Sequence, residues 1–172
     1  MNHMLNRFIL AVILLALSKL ALSDGLLLPK DQNYPADFLR NRLTEVNVKI
    51  DGLVAQTMVY QEFVNEWDQA VDAVYNFPLP ADARSTQLLY TRNDTTFKAI
   101  LLVEPEDPNP GTGQGGLAAL VNDYIGPNGL KLTLKDIAPG AIQTLQLTYI
   151  NILDYHLGIS SYKYPLATED FI

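Results

Sequence analysis

The groups able to do chemistry are few in this chain. His156 stands in Asp154-Tyr155-His156. A histidine beside an aspartate could act as a base with its orienting acid, given a nucleophile placed by the fold. A lone histidine near a turn is more often a surface or packing residue, so no catalytic residue is assigned. The other histidine, His3, lies in the N-terminal apolar segment. Glu104, Glu106 and Asp107 could offer oxygen ligands to calcium, but they lack the regular spacing and glycine of a calcium loop. They are read as a solvated acidic loop. Gly111-Thr112-Gly113-Gln114-Gly115-Gly116 has no lysine followed by Ser/Thr, so it is read as a connection and not a phosphate cradle.

The chain has no cysteine. That removes thiolate metal sites, cysteine nucleophiles and disulfides. One histidine beyond the leader leaves zinc short of ligands. No metal and no cofactor are expected. Asn93-Asp94-Thr95 fits an N-glycosylation acceptor, which matters only in a eukaryotic secretory route.

The elements that would position these groups start with a leader. Met1 to Arg7 is polar with one positive charge, and Phe8 to Leu17 is an unbroken apolar run. Ala21-Leu22-Ser23 then places small residues where a signal peptidase reads. Residues 1–23 therefore read as a signal peptide. Ten apolar residues are too few for a membrane core that needs about 20. The product is expected to start near Asp24 and to be secreted, periplasmic or at the cell surface. The whole chain carries a formal charge of −7, and its leader holds two of the 12 basic residues and none of the 19 acids. The remainder is acidic enough to repel phosphate backbones, so nucleic acid is an unfavourable partner. With 48% apolar and 18% charged residues, the composition is that of one globular domain.

Hydrophobic periodicity predicts strands. Residues 24–42 hold Pro29 and Pro35 among polar groups and read as an irregular lead-in. Leu43–Ile50 alternates with one slip near Thr44. Asp51-Gly52 signals a tight turn, and Leu53–Asn65 returns as a strand with apolar residues on both faces, covered on both sides or bulged midway. Val71–Phe77 ends at Pro78 and Pro80. Ser85–Thr91 and Thr96–Val103 flank a second turn at 92–95. Glu104–Gly116 is a loop and Leu117–Tyr124 a short helix. Leu130–Ile137, Ile142–Leu153 and Ile159–Pro165 complete the set. The expected fold is all-β: a β-sandwich-like antiparallel domain of about eight strands with one short helix, over 43–166, and a tail at 167–172.

Two segments carry a family resemblance. Val59-Tyr60-Gln61-Glu62-Phe63-Val64-Asn65 looks like the V-x-Q-x-F-x-N strand, and Ala70 to Pro80 (AVDAVYNFPLP) like the EAVYxFPLP segment, of vault protein inter-alpha-trypsin (VIT) domains. Ile137-Ala138-Pro139-Gly140, then Tyr149, follow in the family's order. The chain departs from the family between about residues 98 and 129, where a charged helical stretch is shortened. The matching positions are Gln61, Phe63, Asn65, Tyr75, Phe77, Pro78, Leu79, Pro80, Ile137, Pro139, Gly140 and Tyr149. They are read as architecture: aromatic anchors, φ-fixing prolines, and amides able to tie buried backbone. Pro139-Gly140 suits a type II turn.

The resemblance implies a non-enzymatic module like those of inter-alpha-trypsin inhibitor heavy chains. Such a domain usually precedes a von Willebrand type A domain and works through protein–protein interaction or scaffolding. The expected partner is another protein or an adjacent domain. The alternative is a carbohydrate- or small-ligand-binding β-sandwich accessory to a secreted enzyme, with Trp67 stacking on a sugar. A hydrolase using His156 and Asp154 is a third reading.

Overall fold

A computed structural model of the chain describes residues 25–31, 38–80, 82–92, 94–100 and 129–164. Ten strands occur among them: β1 Leu26–Pro29, β2 Leu39–Asp51, β3 Val54–Asn65, β4 Val71–Phe77, β5 Arg84–Arg92, β6 Thr95–Lys98, β7 Leu130–Ile137, β8 Ile142–Ile152, β9 Tyr155–His156 and β10 Ile159–Ser160. They form a five-stranded sheet in the order β2-β3-β8-β5-β6, a three-stranded sheet in the order β1-β4-β7, and the small β9–β10 hairpin. All pairings are antiparallel. The expected leader, the expected Glu104–Gly116 loop, the expected Leu117–Tyr124 helix and the expected 167–172 tail all lie outside the described residues.

β3 shows why these segments are strands. Its odd residues Ala55, Thr57, Val59, Gln61, Phe63 and Asn65 are all buried, while the even ones are half-exposed or exposed. That is the period of two expected of a sheet with one face on a core. Its pairing with β8 runs unbroken from Val54–Ile152 to Val64–Ile142, so β3 is neither bulged nor buried on both faces. The bulge lies in β2, between Asn41 and Leu43. It accounts for the slip near Thr44. After it, Thr44 and Val46 oppose the inward Gln61 and Val59, and Leu43 is 36% exposed.

The turn after β2 also differs from the expectation. Asp51 pairs with Val54 as the last rung, and Gly52 alone takes a positive φ of 58°. The turn residues are therefore Gly52 and Leu53.

The lead-in is not irregular throughout. Leu26–Pro29 pairs with β4, Leu27 facing Tyr75 and Leu28 facing Val74, and β2 begins at Leu39, ahead of the expected start. Four residues ending in proline are too few to show a period, and a sheet edge tolerates that proline because no ladder donor is needed there. β6 stops at Lys98, short of the strand expected to reach Val103. At the other end, the strand expected over Ile159–Pro165 is only the two-residue β10.

The two larger sheets pack face to face. Val59 and Phe63 of β3, Leu145, Leu147 and Tyr149 of β8 and Leu88 of β5 meet Leu27, Ala73, Tyr75, Phe77, Leu134 and Ile137 of the smaller sheet. Two ring pairs span the layers: Phe63 edge-on to Tyr75 with centroids 6.1 Å apart, and Phe77 tilted against Tyr149 at 6.2 Å. Such aromatic contacts contribute about 0.5–1.5 kcal/mol each beyond area burial.

Candidate functional site

β3 delivers three polar side chains, Thr57, Gln61 and Asn65, to the inner face, and each is 0% exposed. A buried amide costs about 1–3 kcal/mol unless it finds partners. Asn65, at the end of β3, finds several. Its Nδ2 donates to the carbonyls of Gln69 (3.0 Å), Ile137 (2.9 Å) and Ala138 (3.3 Å). Its Oδ1 accepts from Trp67 N–H at 3.0 Å. Its backbone N–H donates to Ala141 O, and its carbonyl accepts from Gly140 N–H. One residue thus ties the β3–β4 turn to the turn between β7 and β8.

That second turn has the geometry Pro139-Gly140 calls for. Ala141 N–H donates to Ala138 O at 3.1 Å, and Gly140 sits at φ 69°. With proline first and a positive-φ glycine second, this is a type II turn. A bulge precedes it. Ala73 pairs with Leu134 but Val71 with Ile137, Asp136 takes φ 56°, and its N–H donates to Asp72 Oδ1. The bulge returns Ile137 to the core at 5% exposure.

Gln61 lies two inward positions earlier on β3, beyond Phe63. Tyr75 Oη donates to Gln61 Oε1 at 2.6 Å across the sandwich, and Gln61 Nε2 donates to Thr44 Oγ1 at 3.2 Å. Gly25 lies against this pair. A Cβ there would stand 2.3 Å from Gln61 Oε1 and 2.7 Å from Tyr75 Oη, so only glycine lets the chain pass.

Further along the inner face, Thr57 Oγ1 and Tyr162 Oη are 2.5 Å apart, and Tyr162 Oη lies 3.5 Å from Tyr149 Oη. Phe77 is fully buried, and Leu79 packs against the core. Pro78 and Pro80 are half-buried beside it, and Ala83 N–H donates to Pro80 O at 2.9 Å.

The structure thus brings Gln61, Phe63, Asn65, Tyr75, Phe77, Ile137, Gly140 and Tyr149 into one inter-sheet clamp. Pro139 is exposed on the turn that the clamp holds. Thr44, Thr57, Tyr162 and Gly25 belong to it too, although sequence reasoning did not select them. Thr57 had a signal, because it precedes Gln61 and Asn65 at four-residue spacing on the same face. Tyr162 and Gly25 had none.

His156 and Asp154 are both exposed at the β9–β10 hairpin. Trp67 packs its ring on Phe38, with centroids 5.1 Å apart, and lies half-buried against the core, so its ring is engaged by protein. An open cleft of about 210 Å³ between β5, β7 and β8 is lined by Tyr90, Arg92, Thr133, Lys135 and Gln143 among others. Gln143 Nε2 already donates to Thr91 O at 2.7 Å there. Among the described residues, no three His, Cys, Asp or Glu side chains gather where a metal could bind.

Charge pairs sit on the surface. Arg40 pairs with Glu66, and that hydrogen bond and charge raise the pKa of Arg40. Tyr60 Oη donates to Glu62 at 2.9 Å. Burial first, then Glu62 and Glu45, raise its pKa.

The sequence model of the Vault protein inter-alpha-trypsin domain (VIT) matches residues 42–149. The chain belongs to the VIT family. A search of curated proteins gives no match. The matched stretch contains the clamp's motif residues from Gln61 to Tyr149. Gly25, β1 and Tyr162 lie outside it, yet Leu27 of β1 packs into the same VIT core, Gly25 lies against Gln61 and Tyr75, and Tyr162 meets the buried Thr57. The sandwich of this VIT domain is therefore completed by chain on both sides of the family segment.

Proposed function

We propose that this VIT domain acts outside the cytoplasm as a non-enzymatic protein–protein interaction and scaffolding module. Its partner is a neighbouring protein or an adjacent von Willebrand type A domain. The observation that carries the reading is where the family signature goes. Its amides and aromatic rings join the two sheets internally, and recognition is left to the surface.

One end of the surface suits that role. Val54 and Ile152 are cross-strand partners at the end of the large sheet, 45% and 69% exposed. Leu53 is beside them, its carbonyl accepting from Leu153 N–H. The β9–β10 hairpin that follows exposes Tyr155, Leu157 and Ile159. Contiguous exposed apolar residues of this kind support a docking role. The sequence of residues 1–23 supports export.

The test is site-specific photocrosslinking in the native host from position 152 or 159, with position 131 on β7 as control. Adducts are identified by mass spectrometry, and the N-terminus of the captured chain is sequenced. A type A domain or one consistent protein crosslinked from 152 or 159 but not 131, on chains starting at Asp24, is the expected result. Equal labelling from all three positions, or chains that keep their leader, would overturn it.

A further inference from the structure

We propose that the open edge of β2 pairs antiparallel with β2 of a second copy, across a two-fold axis at Asn47. This stretch ends at the turn that borders the apolar end described above, but the inference does not depend on that reading. Among the described residues, β2 is the terminal strand of the large sheet, with β3 as its one neighbour there. From Glu45 to Asp51 its register is unbroken. The two-residue turn makes Asp51 and Val54 a hydrogen-bonded pair, so the odd residues of this stretch bond to β3. Val46 and Val48 then turn their N–H and C=O groups to the open edge.

Sheet edges are usually guarded by proline, bulges or inward charges. The bulge of β2 is at Arg42, outside this stretch. Leu39–Asp51 contains no proline. The inner-face residues from 44 to 50 are Thr44, Val46, Val48 and Ile50, with no charge among them. Val48 and Ile50 are 39% and 51% exposed although they lie on the core side of the sheet. A second sheet laid edge to edge would cover them.

The charges choose the partner and the register. Glu45, Asn47 and Lys49 share the outer face, opposite Tyr60, Met58 and Gln56 of β3. About a two-fold axis at Asn47, Glu45 meets Lys49 of the partner subunit, and the same pair forms again in reverse. Val46 meets Val48 of the partner subunit on the inner face, also twice. Sliding two residues one way sets Glu45 against Asp51 of the partner subunit. Sliding two the other way sets it against Asn47 and loses both ion pairs. Opposite charges placed directly across a strand pair stabilise it, and like charges destabilise it. The strand's own sequence, run antiparallel, supplies this complement.

Sedimentation equilibrium of the full mature chain tests the pairing. The wild type is expected to dimerise with a concentration-dependent mass, more weakly in high salt. E45K sets only lysines against one another and K49E only glutamates, so each alone should raise the dimer Kd about tenfold or more. An equimolar mixture of E45K and K49E restores opposite charges and should dimerise again, which a variant that merely misfolds would not do. V48P removes one edge N–H and should also weaken the dimer. A wild type monomeric up to about 1 mM, or single variants that dimerise like the wild type, or a mixture no better than its components, would overturn the proposal.

Discussion

Replacing Asn65 is the sharpest test of the clamp. Its side chain makes four hydrogen bonds, three donated to carbonyls and one accepted from Trp67 N–H, and it is 0% exposed. The amide's two N–H hydrogens are shared among the three carbonyls, so with the accepted bond about three are lost, and at about 1 kcal/mol each Asn65→Ala should cost about 3 kcal/mol. Domains of this size are stable by about 5–15 kcal/mol in all, so the variant should fold with a much lower urea midpoint and an unchanged m value. Asn65→Asp keeps the shape but points a carboxylate at three carbonyl oxygens, and adds a pH signature. The folded state should hold that carboxyl protonated, its pKa raised above the unfolded value. Stability of Asn65→Asp is then greatest below the unfolded carboxyl pKa and is lost as pH rises through the folded one. Urea melts of both variants near pH 4 and pH 7, each referenced to wild type, read the effect. A loss under about 1 kcal/mol for Asn65→Ala, or no pH trend for Asn65→Asp relative to Asn65→Ala, would refute the assignment of Asn65 as the tie between turns.

Three further outcomes follow from the same geometry. Gly25→Ala should destabilise by about 1–3 kcal/mol through overpacking, because the added methyl meets Gln61 and Tyr75; thermal melts read it. Gly140→Ala has open space for its methyl but must hold φ 69°, so its cost should be purely conformational, about 1–2 kcal/mol, in the same melts. Tyr60 has its pKa raised above the ordinary 10.0. The folded state keeps that proton longer than the unfolded one, so its contribution is full below pH 10 and is lost as pH climbs through the raised value. Tyr60→Phe should show a shallower alkaline loss of stability, and the difference between its tyrosinate absorbance titration and that of wild type should lie above pH 10.

Parts of the fold were readable because they rest on local pattern. Val71–Phe77 has a clear strand composition, closed by Pro78. The Pro139-Gly140 turn follows from the restricted φ of one residue and the positive φ open to the other. The slip near Thr44 marked a bulge, but the pattern placed it only to within a residue or two. β1 was missed because four residues give no period, and its partners on β4 are 44 to 50 positions away in the chain. The face chosen by β3 was also ambiguous. Val54, Met58 and Tyr60 are as apolar as the residues that are buried, and only the three-stranded sheet opposite decides which side is the core.

The candidate site divides in the same way. Residue types alone removed thiol chemistry, since the chain has no cysteine, and marked the amides of Gln61 and Asn65 as able to tie buried backbone. The spacing of Gln61 and Asn65 determined that they share a face with Val59 and Phe63. Which groups they meet was decided by the tertiary structure. Asn65 joins Ile137, Gln61 joins Tyr75, and Thr57 joins Tyr162, 105 positions on. Backbone period is a property of neighbours along the chain. A hydrogen bond between layers depends on how two sheets stack, which no local stretch encodes.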